Sequence, residues 1–249
     1  MNPSFSLQCT RSFCASLVVG CSIFFAPLIP HAAPVTVSVS VPGTSDPWLA
    51  GMPNGSTASG SDTAPLHSPI QVAGLNLELG SILTFGNATG GVSNGGGCPP
   101  ACAAIDGAGF TSHSAGPQNG ISNITAPISS LLGLFLDDAP PNLSAAAGAL
   151  NFQTLGLDFL SLSPLLKQVF FIGDGETSAA DTQQFIIPTG ATRLFLGTMD
   201  GFGWFNNTGA INVDVTLLNA QIPNGIPEPG TLALLAIPMT GLHLARKRR

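Results

Sequence analysis

The chain has 249 residues, of which only 8% are charged while 44% are hydrophobic, with 30 Gly, 21 Pro and no Tyr. Soluble domains carry about 25% charged residues, so this balance excludes charge-driven disorder and points to a β-rich extracellular domain rather than a cytosolic enzyme. Between Pro34 and Gly225 only Lys167 and Arg193 stand against twelve Asp and Glu, and a body that acidic repels phosphate backbones, which excludes nucleic acid as a partner. Cations and neutral ligands such as sugars are the partners it admits.

Residues 1–33 carry Arg11, an apolar run from Phe13 to Ile29 and the small pair Ala32-Ala33. That is the layout of a secretory signal peptide, cut by signal peptidase beside Ala32 or Ala33; a retained membrane anchor is the alternative. Val18-Val19-Gly20-Cys21 loosely fits a lipoprotein signal, but Ile, Phe, Phe and Ala follow Cys21 where a polar tether belongs.

Residues 34–225 form the body, of a length that suits one domain with its own core. Val35, Val37, Val39 and Val41 alternate with Thr and Ser, and a second alternation, Leu75, Leu77 and Leu79, leads through Gly80 into Ser81–Phe85. Further strand signals are 168–172, 184–187, 193–196 and 211–217, each bounded by Gly, Pro, Asn or Asp. Their number and spacing predict an all-β fold, a jelly-roll β-sandwich. Helix is scarce, with a turn or two at Asn142–Leu150. Thr44–Pro69 and Asn87–Pro127 read as long Gly- and Ser-rich loops, and a long loop inside a domain is commonly functional or disordered.

Cys9, Cys14 and Cys21 leave with the signal, so Cys98 and Cys102 remain. In an exported chain that pair reads as a small disulfide loop, with two free thiols as the alternative; a metal site needs more soft ligands. Asp137-Asp138 before Pro140-Pro141 reads as a turn, and Gly173-Asp174-Gly175-Glu176 as a hairpin turn. His67 sits in a Pro-rich stretch. No nucleophile–base set or acid pair suggests catalysis, so the chain reads as a non-enzyme.

The segment richest in chemistry is Thr198–Gly209, between two strand signals. Calcium takes six to eight oxygen ligands, and Asp200, Asn206, Asn207 and a Gly-rich turn offer several from one loop. A hairpin whose Asp and Asn bond only its own backbone reads equally well from these residues.

At the C-terminus, Pro227-Glu228-Pro229 precedes an apolar stretch from Gly230 to Ala245 and then Arg-Lys-Arg-Arg. Sixteen residues span about 24 Å as a helix, short of a hydrocarbon core of about 30 Å, and Pro238 interrupts them. The basic tail stays cytoplasmic, which makes this a weak stop-transfer segment that anchors the precursor in the inner membrane with its body outside.

Residues 226–249 resemble the PEP-CTERM sorting signal. The resemblance implies recognition by an exosortase, cleavage near Pro227-Glu228-Pro229 and delivery to the cell surface or extracellular matrix.

Roughly residues 70–217, most strongly 168–217, resemble the galactose-binding-like fold of bacterial calcium-dependent galactophilic lectins. The resemblance rests on a Gly-Asp-Gly turn, Pro-Thr-Gly, and Asp followed by Asn-Asn-x-Gly before a last strand. It implies that Asp200, Asn206 and Asn207 hold calcium with the Trp204 carbonyl, and that a further carbonyl comes from near Ser93. Two hydroxyls of a carbohydrate or exopolysaccharide would complete the shell, with His113 and Gln118 gripping the sugar. The chain departs from the family in shortening the Asp200–Asn206 spacing by one residue, lengthening the His113–Gln118 separation and inserting residues around 137–164. A structural envelope or biofilm protein that uses calcium only to stabilise its fold is the other reading.

Overall fold

Val35, Val37, Val39 and Val41 build β1 (Val35–Pro42) in the computed structural model of the protein, which describes residues 33–99 and 102–218. β1 pairs antiparallel along its length with β12 (Thr208–Leu218), from Val35 opposite Leu217 to Pro42 opposite Ala210. Because successive strand residues face opposite sides, β12 buries Ile211, Val213, Val215 and Leu217 and turns Asn212 and Asp214 outward. On the outer face the Asp214 carboxylate accepts hydrogen bonds from Ser38 and Asn87, which ties three strands together.

The remaining strands are β2 (Ile70–Gln71), β3 (Ile82–Ser93), β4 (Ala108–Ser112), β5 (Ile124–Ile128), β6 (Leu131–Leu136), β7 (Leu150–Asn151), β8 (Ser161–Leu162), β9 (Val169–Phe171), β10 (Gln184–Ile186) and β11 (Arg193–Thr198). They and β1 and β12 form a five-stranded sheet ordered β1-β12-β3-β10-β8, a four-stranded sheet β2-β11-β6-β9 and a three-stranded sheet β4-β5-β7. Pairing is antiparallel except for β10 with β8 and β5 with β7. The expectation of an all-β protein holds at that level.

The five- and four-stranded sheets send side chains into one hydrophobic cluster. Phe170 of β9 and Phe185 of β10 meet with ring centroids 5.4 Å apart, and Phe85 of β3 packs edge-on against Phe185 at 5.1 Å. Every residue of β6 is buried, so Leu131-Leu-Gly-Leu-Phe-Leu136 is apolar without alternation, as a strand covered on both faces must be. Gly133 sits at its tightest point, where an added Cβ would lie 2.4 Å from the Phe170 ring. That ring is fixed between Phe135 and Phe185 and cannot retreat. Gly133→Ala should therefore destabilise the domain by about 1–3 kcal/mol, read as a lower melting temperature with unchanged far-UV circular dichroism.

Three expectations need correction. The 75–79 alternation is not a strand: Leu75 and Leu77 pack half-buried against the core and Leu79 is exposed, with no neighbouring strand to complete a ladder. Asn87–Pro127 is not one loop, because β3 runs on to Ser93 and β4 and most of β5 follow. The helical turns nearest the expected segment lie at Pro141–Leu143 and at α1 (Phe152–Leu155), flanking most of it. Residues 1–32 of the expected signal peptide and the whole 226–249 segment, with Pro227, Glu228 and Pro229, lie outside the described residues. Among the described residues no helix is long and apolar enough to cross a membrane.

Candidate functional site

The stretch between β11 and β12 is fixed from the inside by Trp204. Its fully buried indole donates from Nε1 to the Thr198 carbonyl at 2.8 Å, while the Thr198 hydroxyl donates to the Gly43 carbonyl at 2.8 Å. The chain enters a single helical turn, Trp204–Asn206, through Gly203 at φ +84°, a conformation only glycine adopts without cost. That turn has no side-chain cap of its own. Asp62 supplies one from a distant loop: its Oδ2 accepts the Trp204 N–H at 2.8 Å, and the Phe205 N–H also reaches the carboxylate. A carboxylate at the orphan amides of a turn is favoured for the same reason as an N-cap.

Asp200 and Asn207 are brought together, 6% and 4% exposed. Asp200 Oδ1 accepts the N–H groups of Gly201 and Phe202, and the Asn207 side chain donates to the same carboxylate. Asn207 Nδ2 also donates to the Gly43 carbonyl at 3.2 Å, and its Oδ1 is buried with no hydrogen-bond partner. One amide NH₂ thus bridges a buried carboxylate and a buried carbonyl, while the matching amide oxygen goes unused. Rotating the amide by 180° would exchange the two atoms and place Oδ1 beside the Asp200 and Gly43 oxygens, a set of three oxygens that a cation could hold together. Calcium, a hard cation that takes carboxylate, amide and carbonyl oxygens, fits that donor set.

The other expected ligands are placed differently. Asn206 is exposed at the end of the turn, and the Trp204 carbonyl accepts the Asn207 N–H at 3.0 Å. Ser93 lies across the ladder from Thr208, next to Asn207 in sequence. Among the described residues no group of three or more His, Cys, Asp or Glu is gathered to hold a metal, so the candidate centre is one carboxylate with neutral oxygens.

Two further aspartates surround it that the sequence reading did not single out. Asp46 and Asp62 are fully buried. Asp46 Oδ1 accepts the Trp48 N–H at 2.9 Å, and Asp46 Oδ2 and Asp62 Oδ1 have no hydrogen-bond partner. Burial pushes the pKa of Asp46 well above the usual carboxylate value and raises those of Asp62 and Asp200; repulsion from Asp62 and Asp200 adds to it at Asp46, and repulsion from Asp62 at Asp200. His67 Nδ1 stands 3.6 Å from Asp62 Oδ1 but already accepts the Thr63 N–H. Among the described residues neither Lys nor Arg is available as counterion. Lys167 donates to Ser144 and the Ala145 carbonyl, and Arg193 to the carbonyls of Asp137 and Ala139. Asp46 has a sequence signal, an Asp-Pro step opening a turn; Asp62, alone in a Gly/Ser/Thr stretch, has almost none.

His113 is not at the surface. It is 1% exposed and stacks on Trp48 at 3.8 Å. Its Nδ1 donates to the Gly116 carbonyl at 2.8 Å, which leaves Nε2 to accept the Ser59 hydroxyl at 2.9 Å. Burial lowers its pKa and keeps it neutral, and no edge of the ring is left for a sugar. Gln118 exchanges backbone hydrogen bonds with Ile121 in a tight turn, and its buried Oε1 is unpartnered. Cys98 and Cys102 are joined in a disulfide, beside Thr208, whose hydroxyl accepts the Cys98 N–H at 3.2 Å. Asp137 and Asp138 close their turn through the Ala139 N–H and the Thr192 hydroxyl, and Asp174 accepts the Glu176 N–H.

No protein-family model, curated protein or solved structure matches this chain.

Proposed function

We propose that the protein is an exported, non-catalytic surface or extracellular-matrix protein whose 198–209 segment binds calcium and, beside it, a carbohydrate. Export by the N-terminal signal and exosortase sorting at Pro227-Glu228-Pro229 bring the body outside the cell. The body is a jelly-roll sandwich of the galactose-binding-like kind. The observation that carries the calcium reading is the Asn207 amide, whose NH₂ bridges the Asp200 carboxylate and the Gly43 carbonyl while its own oxygen is buried and unused. Asp200, Asn207 and the Gly43 carbonyl would hold the ion, and exposed Asn206 would face a ligand. When bound, calcium supplies coordination sites that accept vicinal hydroxyls. His113, stacked on Trp48 and hydrogen-bonded at both nitrogens, fixes the loop from within and does not grip the sugar.

A second reading has an observation of its own. Asp200 and Asn207 are almost fully covered, which suits an ion that only ties β1, β11 and β12 together in a structural envelope protein.

Glycan-array binding with calcium or EDTA, for wild type and Asp200→Ala, separates the two. The lectin reading expects binding that EDTA and Asp200→Ala both abolish. A calcium-dependent melting temperature that Asp200→Ala removes, without any glycan signal, leaves the structural reading alone.

A further inference from the structure

Phe202 and Phe205 stand out among the aromatic side chains: they are 57% and 49% exposed, whereas Trp48 and Trp204 behind them are fully buried. Both belong to the segment that carries Asp200 and Asn207. Both rings stand over Gly60 of the opposite loop, where an added Cβ would lie 3.5 Å from Phe202 and 3.6 Å from Phe205. Gly203 between them, at φ +84°, lets the Phe205 ring fold back within 3.1 Å of where its Cβ would be. Asp62 holds the backbone of this turn through Trp204 and Phe205. Two phenyl rings are therefore kept at the surface by a built turn.

The surroundings select what covers them. Ser61, Ser114 and Asn206 are the exposed neighbours in sequence or by hydrogen bond, and the Ser114 hydroxyl donates to the Gly201 carbonyl at 2.9 Å. The nearby ionisable groups, Asp62, His67, His113 and Asp200, are all buried. Among the described residues the rim thus offers hydroxyl and amide groups and no exposed charge. A phosphate-bearing lipid surface finds no cation there among the described residues, because Lys167 and Arg193 are committed elsewhere. A neutral pyranose matches both features. One face of its ring presents polarised C–H bonds that suit the negative face of an aromatic ring, and its edge presents hydroxyls.

We infer that Phe202 and Phe205 form a stacking platform for one ring of a neutral glycan, with Asn206 reaching its hydroxyl edge. This rests on the carbohydrate-binding reading above and assigns the side chains that supply its apolar contact.

The test uses the purified chain in calcium on arrayed neutral and acidic polysaccharides, with phosphatidylcholine vesicles as a separate arm. Phe202→Ser with Phe205→Ser should lower binding to neutral glycans at least tenfold while leaving the fold and the response of the melting temperature to calcium unchanged. In Phe205→Trp the new exposed indole should change its emission on titration with the bound glycan. Wild-type-like glycan binding by the double serine variant overturns the platform and leaves the carbohydrate reading standing. Binding to no arrayed glycan by wild type, or to the vesicles instead, overturns both.

Discussion

Trp48→Ala should destabilise the domain by about 3–5 kcal/mol, the range for removing a buried aromatic, and should release His113. Trp48 is fully buried, stacks on His113 and lies 5.3 Å from the Trp204 ring. Its Nε1 donates to the Ser122 carbonyl at 3.0 Å, and its own carbonyl accepts from Asn119 at 2.9 Å. One side chain thereby joins three segments distant in sequence, around 48, 113–122 and 204. Truncating it opens a cavity behind the candidate loop and orphans the Ser122 carbonyl. In a domain of this size each kcal/mol moves the melting temperature by about 2–4 °C, so a fall of roughly 6–20 °C is expected. Burial is what depresses His113, so in the folded variant the imidazole should titrate closer to its ordinary value, read by NMR on the ring protons. An unchanged His113 titration would mean that Trp48 does not seal that pocket.

The second large effect concerns pH. Asp46, Asp62, Asp106 and Asp200 all have pKa values raised above the ordinary 3.8, with burial as the largest cause in each. A carboxyl raised in this way binds more protons folded than unfolded. Its contribution to stability is fully present below the unfolded value and is lost as pH rises through the folded one. His113 runs the other way: its pKa is lowered from 6.5, so its contribution is present above 6.5 and is lost as pH falls through the depressed value. Exposed Asp214, lowered by Ser38 and Asn87, acts only below 3.8. In EDTA the four carboxyls should therefore raise the melting temperature as pH falls from neutral toward 3.8, with the imidazole opposing them below 6.5. Calcium at neutral pH should reproduce part of that rise by neutralising Asp200 directly. A calcium-free protein that loses stability steadily over that range would contradict this.

Strands with one wet face were legible in the sequence. Val35–Val41 and Ile211–Leu217 alternate because each buries one side, and period-two patterning reports burial of that kind. β6 was not legible, because a strand covered on both faces carries six apolar residues and no alternation. Leu75, Leu77 and Leu79 misled for the converse reason: alternation marks a half-buried extended chain, and only a neighbouring strand makes it a ladder. Gly90 and Gly91 hid the far half of β3, although two glycines are what allow it to run past Ala210 and Ala103, whose carbonyls a Cβ at either position would strike.

The site divided in the same way. Asp200 and Asn207 belong to one loop, and their oxygen donors in a Gly-rich turn exposed them there together with Asn206. Gly43, Asp46 and Asp62 arrive from more than 130 residues away, and nothing local distinguishes a glycine whose carbonyl will face an amide. His113 shows the limit of residue type as a guide. A histidine in a Gly- and Ser-rich stretch resembles a surface ligand, yet the Trp48 and Trp204 rings that enclose it are remote in sequence.

Calcium at the Asn207 amide is the central claim, and calorimetric titration of calcium into chelator-treated protein tests it most directly, wild type beside Asp200→Ala. Saturable binding by wild type and none by the variant is expected. At a calcium concentration about a hundred times the dissociation constant, binding contributes about 2.7 kcal/mol, a melting-temperature rise of roughly 5–11 °C at 2–4 °C per kcal/mol. No heat of binding and no calcium-dependent melting shift in the wild type, or equal binding by Asp200→Ala, would contradict it.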